Sequence, residues 1–442
     1  MFKRKIYERM LDWKMRSNGR TALLIEGARR VGKSTVVKAF AEREYETHLV
    51  IDFSAAPREI RELFDDMSDL NYFFLQLQLQ FGVRLIERRS LIVFDEVQLC
   101  PLARQAIKHL VADGRYDYIE TGSLISIKRN TAGILIPSEE EKLQMRPMDF
   151  EEFRWAQGDE ATMPLLRQAF EVRKSLGDQV NRRLMRDFRL YMLVGGMPQA
   201  VDAYLSTNNL QEVDAVKRGI ISLYEDDFHK ISPSGALSML FDAIPSQLAK
   251  KATRYSVSSV IANARASTVQ DEISELAESK TVLVAYHVND PNAGMSSSID
   301  LQKFKLYLAD TGLFVTLSFK DRNFTENAIY RQLLSDKLPV NLGAVYENVV
   351  AQEFVAHGDG LFYHTWKREN SSRSYEIDFL LSRGRKVVPL EVKSSRYASH
   401  SSLDDFQRRY ASRIGERYLV YTKDLRRDGE VTCIPTYLST CL

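Results

Sequence analysis

A glycine-rich segment near the amino terminus constrains the fold of this chain more than any other feature. Residues 27–35 match the pattern G-x-x-x-x-G-K-[S/T]. The apolar residues 21–26 before it predict a buried strand, and residues 35–40 after it predict a helix. Between a strand and a helix, the two glycines let successive backbone N–H groups point at phosphate oxygens. The segment therefore predicts a phosphate-binding loop.

The loop residues have distinct expected roles. Lys33 would reach the β- and γ-phosphates of a nucleotide, and the hydroxyl group of Ser34 would bind Mg²⁺. The helix that follows adds a favourable dipole for phosphate. The candidate nucleotide-binding residues are Gly27, Ala28, Arg29, Arg30, Val31, Gly32, Lys33, Ser34 and Thr35.

A second motif consists of four apolar residues that run into two acids. Residues 91–96 predict a central parallel strand with Asp95 and Glu96 at its carboxyl end. Asp95 would hold Mg²⁺, and Glu96 would orient or activate the attacking water. Thr121 or Ser123, after the next strand, would sense the γ-phosphate, although a Thr-Gly-Ser turn is equally ordinary in loops. Together the motifs predict binding and hydrolysis of a nucleoside triphosphate.

Composition limits the other possibilities. At 442 residues the chain is too long for one core. Its net charge of +2 argues neither for nor against nucleic acid, although residues 383–427 carry twelve Lys or Arg against five Asp or Glu. Three scattered cysteines indicate neither a disulfide framework nor a zinc site. With no apolar run of about 18 residues and no signal-peptide core, we expect a cytoplasmic protein without a membrane partner.

The chain alternates predicted strands and helices, which is typical of α/β proteins with a parallel sheet. Strands are predicted at 23–26, 48–53, 91–96, 116–122 and 143–150, with helices at 72–88 and 102–113. Four domains are expected: a P-loop core at 1–150, a helical lid at 151–232, a winged-helix module at 233–318 and a second α/β domain at 319–442.

Two segments of the middle domains carry specific predictions. In the broken helix Gly195-Gly196-Met197-Pro198, the turn at Pro198 would contact the adenine, and an ordinary helix–helix corner is the alternative. Residues 268–279 are the candidate recognition helix of the winged-helix module. Because that helix is acidic, we favour packing or protein contact over insertion into a DNA groove.

A second group of ionisable residues lies in the last domain. Asp378 and the Glu391-x-Lys393 pair lie on two adjacent predicted strands, and Glu347 lies on a preceding helix. Residues two apart on a strand share a face, so Glu391 and Lys393 point together. Asp378, Glu391 and Glu347 would bind a second Mg²⁺ or Mn²⁺, and Lys393 would position water. The alternative is an exposed, charged strand, but the apolar flanking residues favour a buried site.

These motifs together resemble bacterial and archaeal AAA-type P-loop ATPases that carry a C-terminal domain of unknown function with a restriction-endonuclease-like, PD-(D/E)XK fold. The resemblance covers nearly the whole chain, through the motifs above and the segments 94–98, 121–123, 146–153, 195–198, 305–313 and 346–348. It implies ATP and Mg²⁺ at the first site, a lid, a winged-helix module and a nuclease-like terminal domain. Ser34 stands where Thr is frequent in the family, and either hydroxyl can bind Mg²⁺.

Two functions remain open on this basis. In the first, the chain is an ATPase whose nucleotide state controls a nuclease-like or nucleic-acid-binding domain, with DNA or RNA as partner. In the second, it is a nucleotide-dependent switch whose inactive nuclease-like domain binds a protein partner or another copy of the chain. ATP is preferred over GTP because of the resemblance and because the sequence lacks an Asn-Lys-x-Asp motif.

Overall fold

The structure is a computed structural model that divides into two compact units. The first contains Met1–Arg146 with Glu278–Lys280, and the second contains Pro147–Ala277 with Thr281–Leu442. The residues described are 1–123, 135–250, 252–322, 327–335, 343–369, 371, 373–394, 397 and 399–442.

The first unit is built from alternating helices and strands. Its strands are β1 (Ala22–Glu26), β2 (Thr47–Asp52), β3 (Ser90–Asp95), β4 (Asp117–Gly122) and β5 (Glu140–Gln144). Its helices are α1 (Lys5–Ser17), α2 (Lys33–Glu44), α3 (Arg58–Glu62), α4 (Leu70–Phe81) and α5 (Pro101–Asp113). Helix α4 ends earlier than predicted because Gly82 adopts a left-handed φ of 62°.

The five strands form one parallel sheet in the order β2-β3-β4-β1-β5. Strand β4 is therefore inserted between the strand before the glycine loop and the strand that ends in Asp95. The carboxyl ends of parallel strands meet at one edge, so the loop after β1, Thr121 of β4 and Asp95 of β3 converge there. One face of the sheet packs a core rich in phenylalanine, including Phe53, Phe64 and Phe94.

The second unit begins with helices, and its strands form one large sheet. Its helices are α6 (Phe150–Ala156), α7 (Thr162–Glu171), α8 (Asp178–Val194), α9 (Pro198–Thr207), α10 (Leu210–Ile231), α11 (Ala236–Asp242), α12 (Ile244–Ala249), α13 (Gln270–Glu278, whose last residue is in the first unit), α14 (Thr311–Leu317), α15 (Asn327–Leu334), α16 (Gly343–Ala356) and α17 (Ser401–Tyr410). Its strands are β6 (Val282–Val288), β7 (Ile299–Leu308), β8 (Phe362–Lys367), β9 (Ser374–Arg383), β10 (Lys386–Val392), β11 (Arg417–Tyr421), β12 (Arg426–Asp428) and β13 (Val431–Pro435).

These eight strands form one mixed sheet in the order β12-β13-β11-β10-β9-β8-β6-β7. Strands β8, β9 and β10 pair antiparallel with their sequence neighbours, and β11 pairs parallel with β10 after helix α17. The core between the sheet and α17 includes Ile377, Leu380, Leu403 and Phe406.

The hairpin β6–β7, which lies within the predicted winged-helix module at 233–318, belongs to this large sheet. Strand β6 pairs antiparallel with β7 and parallel with β8, with Tyr286 opposite Phe362. The predicted boundary between residues 318 and 319 therefore does not separate two compact units. One edge of β6 is covered because it hydrogen-bonds to β8. The paired residues are more than seventy positions apart in sequence, and the hydrophobic periodicity of either strand does not predict such a pairing.

The strand predicted at 143–150 begins and ends earlier in the structure, as β5 at Glu140–Gln144. Strand β5 ends at Gln144, and helix α6 begins at Phe150. Asp149 is the N-cap of α6, because its side chain accepts a hydrogen bond from the backbone N–H of Glu152 while the Glu152 carboxylate accepts one from Asp149. The capping box sets this boundary.

Candidate functional site

The glycine loop between β1 and α2 has a backbone conformation that restricts which residues fit at several positions. A Cβ atom at Gly27 would overlap the carbonyl oxygen of Met145, so this position accepts only glycine. Gly32 has a φ of 97° and Arg30 a φ of 70°, both in the left-handed region. Arg4 fixes the loop from outside, since its guanidinium donates to the carbonyl oxygens of Val31 and Arg146. Sequence reasoning assigned no role to Arg4.

Lys33 lies folded over this loop. Its ammonium group donates hydrogen bonds of 3.0 Å to the carbonyl oxygens of both Gly27 and Ala28. Burial lowers the pKa of Lys33, while the charges of Glu96 and Asp95 oppose that shift. The ammonium group is therefore held by the loop itself, where it can donate to phosphate oxygens.

Asp95 is the centre of the polar contacts at the strand ends. Its Oδ1 accepts hydrogen bonds from the hydroxyl groups of Ser34, at 2.7 Å, and Thr121. Lys38 lies 3.9 Å from the other carboxylate oxygen. A hydroxyl and a carboxylate oxygen this close are the oxygen donors that Mg²⁺ prefers, so the residues present fit this ion.

Glu96 follows Asp95 in a left-handed conformation, with φ 56° and ψ 48°. This backbone is uncommon for a residue other than glycine and is found at functional sites. The backbone N–H of Glu96 donates to the Thr121 hydroxyl at 3.3 Å, and the Gln98 amide donates to the Glu96 carboxylate. Gln98 thus orients Glu96, a role that the sequence pattern alone did not indicate.

The remaining predicted residues of the first site are placed as follows. Thr121 contacts Asp95, whereas Ser123 is half-buried just after β4. Thr35 lies in the first turn of α2. Arg29 lies close enough to Lys33 for its charge to lower the pKa of that lysine.

In the second unit, Pro198 begins helix α9 and is half-buried. The glycines before it are locked within this unit, because Gly196 N–H donates to Asp310 Oδ2 at 2.5 Å and Asp310 Oδ1 caps α14 through Leu313 N–H. A Cβ atom at Gly196 would overlap the Met148 carbonyl. This packing accounts for the glycine pair, and the adenine contact of Pro198 stays a prediction.

The second group of ionisable residues lies on the large sheet. Ile377 and Leu380 of β9 pair with His364 and Phe362 of β8, so three steps on β9 match two on β8. This β-bulge lies beside Asp378, and bulges occur next to functional sites. Burial raises the pKa of Asp378 well above its ordinary value, and the charges of Glu347 and Glu376 raise it further.

Two lysines pair with the carboxylates of this group. Lys305 of β7 is buried and forms ion pairs with Glu376 and, at 3.8 Å, with Glu347. Lys393 lies 3.2 Å from Glu391 Oε1 and also donates to the Ser399 carbonyl. Sequence reasoning missed Lys305, because it reaches the site from a hairpin assigned to another domain.

The second metal site stays a prediction. Within the residues that the structure describes, no set of three or more His, Cys, Asp or Glu side chains is arranged to hold a metal ion. The Asp378 carboxylate accepts the backbone N–H of Val392 at 2.7 Å, and burial raises the pKa of Glu391. In the structure, Lys305, Lys393 and a backbone N–H group contact the carboxylates predicted to bind Mg²⁺ or Mn²⁺.

Comparisons with known proteins agree with the first site. Residues 19–154 match the family model described as an AAA domain, and two domains of unknown function, DUF8612 and DUF4143, match residues 185–323 and 342–438. The match and the loop geometry identify residues 19–154 as an AAA-type P-loop domain. The chain is therefore a nucleotide-binding protein. No curated protein matches the sequence.

The chain is also similar to solved structures, three of which are the following. The Walker-type ATPase PABY2304 of Pyrococcus abyssi is 17% identical, with a TM-score of 0.42 over 72% of this chain and 96% of that chain. The Aeropyrum pernix ORC1 protein in complex with DNA is 12% identical, with a TM-score of 0.29 over 73% and 93%. The Thermotoga maritima RuvB Holliday junction branch migration motor is 11% identical, with a TM-score of 0.28 over 64% and 89%.

None of the described helices is both long and apolar enough to cross a membrane.

Proposed function

We propose that this chain is a Mg²⁺-dependent ATPase whose nucleotide state controls a nuclease-like, nucleic-acid-binding domain at its carboxyl end. The observation that carries the ATPase part is the shared contact of Ser34 and Thr121 with Asp95. Ser34 and Asp95 would hold Mg²⁺, which neutralises phosphate charge when it is bound. Lys33 binds the phosphates, and Glu96 orients the attacking water.

The roles of Lys33 and Glu96 are separable by experiment. Lys33→Ala should lose both ATP binding and hydrolysis, whereas Glu96→Gln should bind ATP and lose at least about a hundredfold in hydrolysis. The matched control is Glu59→Gln, the same change at an exposed position of α3. Equal hydrolysis rates in Glu96→Gln and Glu59→Gln would contradict the assignment of Glu96.

The order of elements in the second unit supports the nuclease-like part of the proposal. Helix α16, the antiparallel strands β8, β9 and β10, helix α17 and the parallel strand β11 follow one another. A helix that precedes two adjacent strands bearing acidic residues is the arrangement expected of the nuclease-like site described in the sequence analysis. Glu347, Asp378, Glu391 and Lys393 lie on α16, β9 and β10 and just after β10, the positions that such a site would use.

A second candidate function is favoured by Lys305. Its ion pairs with Glu376 and Glu347 compensate carboxylates that a nuclease would offer to a metal ion. In this second candidate, the terminal domain has no cleavage activity, and ATP turnover resets its binding to a protein partner or a second copy.

Cleavage assays distinguish the two candidates. The substrates are supercoiled, linear and single-stranded DNA and RNA, in Mg²⁺ or Mn²⁺, with ATP or ADP. Cleavage that disappears in Glu391→Ala and Lys393→Ala supports the nuclease. Intact ATP hydrolysis without cleavage, with a sedimentation profile that differs between ADP and a non-hydrolysable ATP analogue, supports the switch.

A further inference from the structure

A positively charged cavity lies on the second unit, between the β8–β9 hairpin and helix α17. Its volume is about 370 Å³, which is within the range of small-ligand sites. Four guanidinium groups line it against two carboxylates: Arg368, Arg373, Arg408 and Arg409 against Glu369 and Asp405. This balance favours an anion, and guanidinium groups match the geometry of phosphate.

One wall of the cavity is fixed by Asp405. Its carboxylate accepts hydrogen bonds from the Trp366 indole at 2.6 Å, from Arg408 at 2.6 Å and from Arg409 at 2.9 Å. Arg409 also lies 3.9 Å from Glu369. These two arginines are therefore held in place by carboxylates. They contribute positive electrostatic potential to the cavity more than free hydrogen-bond donors.

The opposite wall carries arginines of a different kind. Among the described residues, the guanidinium groups of Arg368 and Arg373 form no hydrogen bond or ion pair, and Arg368 Nε is buried without a partner. The Arg368 guanidinium lies over the Tyr375 ring, 4.2 Å from its centroid. The buried Arg368 Nε is therefore a donor that a ligand could satisfy, and the exposed Arg373 guanidinium is available to bind an anion.

Tyr375 is the outer end of a row of rings that crosses the sheet. The rings of His287, His364, Trp366 and Tyr375 follow one another at centroid distances of 5.4 Å. Both histidines are buried, whereas Tyr375 borders the cavity. The row holds the Tyr375 ring in a fixed orientation, which is what a stacking surface for a nucleobase requires.

We propose that this cavity binds a nucleotide unit of a single-stranded nucleic acid, with the base stacked on the Arg368–Tyr375 pair and the phosphate bound by Arg373. The inference rests on the proposed function for the identity of the terminal domain's partner. It adds a binding surface on the other face of the sheet from the carboxylates, because Tyr375 and Glu376 are consecutive residues of β9.

The test measures binding without nucleotide turnover or cleavage. Full-length Lys33→Ala protein in EDTA is titrated with a labelled oligothymidylate of about twenty nucleotides, read by fluorescence anisotropy. Lys33→Ala removes ATP binding and EDTA removes divalent metal, so the result is independent of ATPase and nuclease activity. Those two activities are measured separately on the protein with Lys33 intact. Thymidine monophosphate and inorganic phosphate serve as competitors.

The variants separate phosphate binding from stacking. Arg373→Ala should weaken binding about tenfold or more and reduce its salt dependence, and Tyr375→Ala should weaken it by a similar factor. Tyr375→Phe should retain binding because the ring is kept. Arg385→Ala, an exposed arginine in the β9–β10 turn, is the matched control and should change affinity less than about twofold.

Three outcomes would overturn the proposal. The first is wild-type affinity in both Arg373→Ala and Tyr375→Ala. The second is competition by inorganic phosphate as strong as that by the oligonucleotide, which would indicate a simple anion site. The third is an equal loss in Arg385→Ala, which would indicate non-specific attraction to basic surface.

Discussion

Lys305 of β7 forms a buried ion pair with Glu376 of β9, across a separation of 71 residues in sequence. Burial alone would lower the pKa of Lys305, but Glu376, Tyr307 and Glu347 outweigh it and hold that pKa well above its ordinary value. The lysine is therefore charged at neutral pH. It joins the β6–β7 hairpin electrostatically to the group that contains Asp378.

Replacing Lys305 should destabilise the second unit because it leaves buried carboxylates without a counter-charge. We expect Lys305→Met to lower the free energy of unfolding by about 3–5 kcal/mol, measured by urea denaturation. The double variant Lys305→Met, Glu376→Gln should recover part of this loss. Lys303→Met, on the same strand but more exposed, should cost less than about 1 kcal/mol. Equal losses at the two lysines would argue against a buried ion pair.

The glycines around Asp310 should be intolerant of a single methyl group. A Cβ atom at Gly196 would overlap the Met148 backbone, so Gly196→Ala should cost about 3 kcal/mol of unfolding free energy. Gly219, inside helix α10, has open space at the same position. Gly219→Ala should therefore stabilise the protein by up to about 1 kcal/mol, since alanine is the better helix former. Thermal unfolding of both variants checks this contrast, and similar shifts in Tm would contradict it.

Thr121 should influence hydrolysis through Asp95 rather than by contact with the nucleotide. Thr121→Val removes the hydroxyl that donates to Asp95 and keeps the side-chain volume. We expect about a tenfold loss of ATP hydrolysis and a higher Mg²⁺ concentration for half-maximal rate, because a hydroxyl that donates to a metal-binding carboxylate fixes its orientation. Ser123→Ala should have a smaller effect on both quantities. A loss in Thr121→Val that Mg²⁺ does not modulate would indicate a structural role only.

Local pattern predicted the elements around Gly27, Lys33 and Asp95, but it did not predict how distant strands pair. The elements around these three residues were predictable because strand, loop and helix are adjacent in sequence and each motif is short. The insertion of β4 between β1 and β3, which gives Thr121 its contact with Asp95, is a property of strand order. The position of Lys305 depends on the pairing of β6 with β8. Such pairings form backbone hydrogen bonds between distant segments. The hydrophobic pattern of one strand does not predict which other strand it will pair with.

His364 should make the second unit less stable as the pH falls. Burial lowers the pKa of His364 to about 4, and the neighbouring His287, Asp290 and Arg409 modify that shift. The unfolded chain, with an ordinary histidine pKa of about 6.5, then binds more protons than the folded one between pH 6.5 and 4. Stability from this residue is complete above pH 6.5 and is lost as the pH falls toward 4, by about 2 kcal/mol at pH 5.

The variant that isolates this effect is His364→Phe, which keeps a ring against Trp366 but cannot be protonated. It loses the hydrogen bonds of His364 Nδ1 with the Val288 carbonyl and of His364 Nε2 with the Tyr410 hydroxyl, a cost of about 1–3 kcal/mol at pH 7. Urea denaturation at pH 7 and pH 5 should therefore show a smaller loss of stability on acidification in His364→Phe than in the wild type. His229→Phe, at an exposed position of α10, should keep the wild-type pH dependence. If His364→Phe also keeps it, the acid sensitivity belongs to other groups.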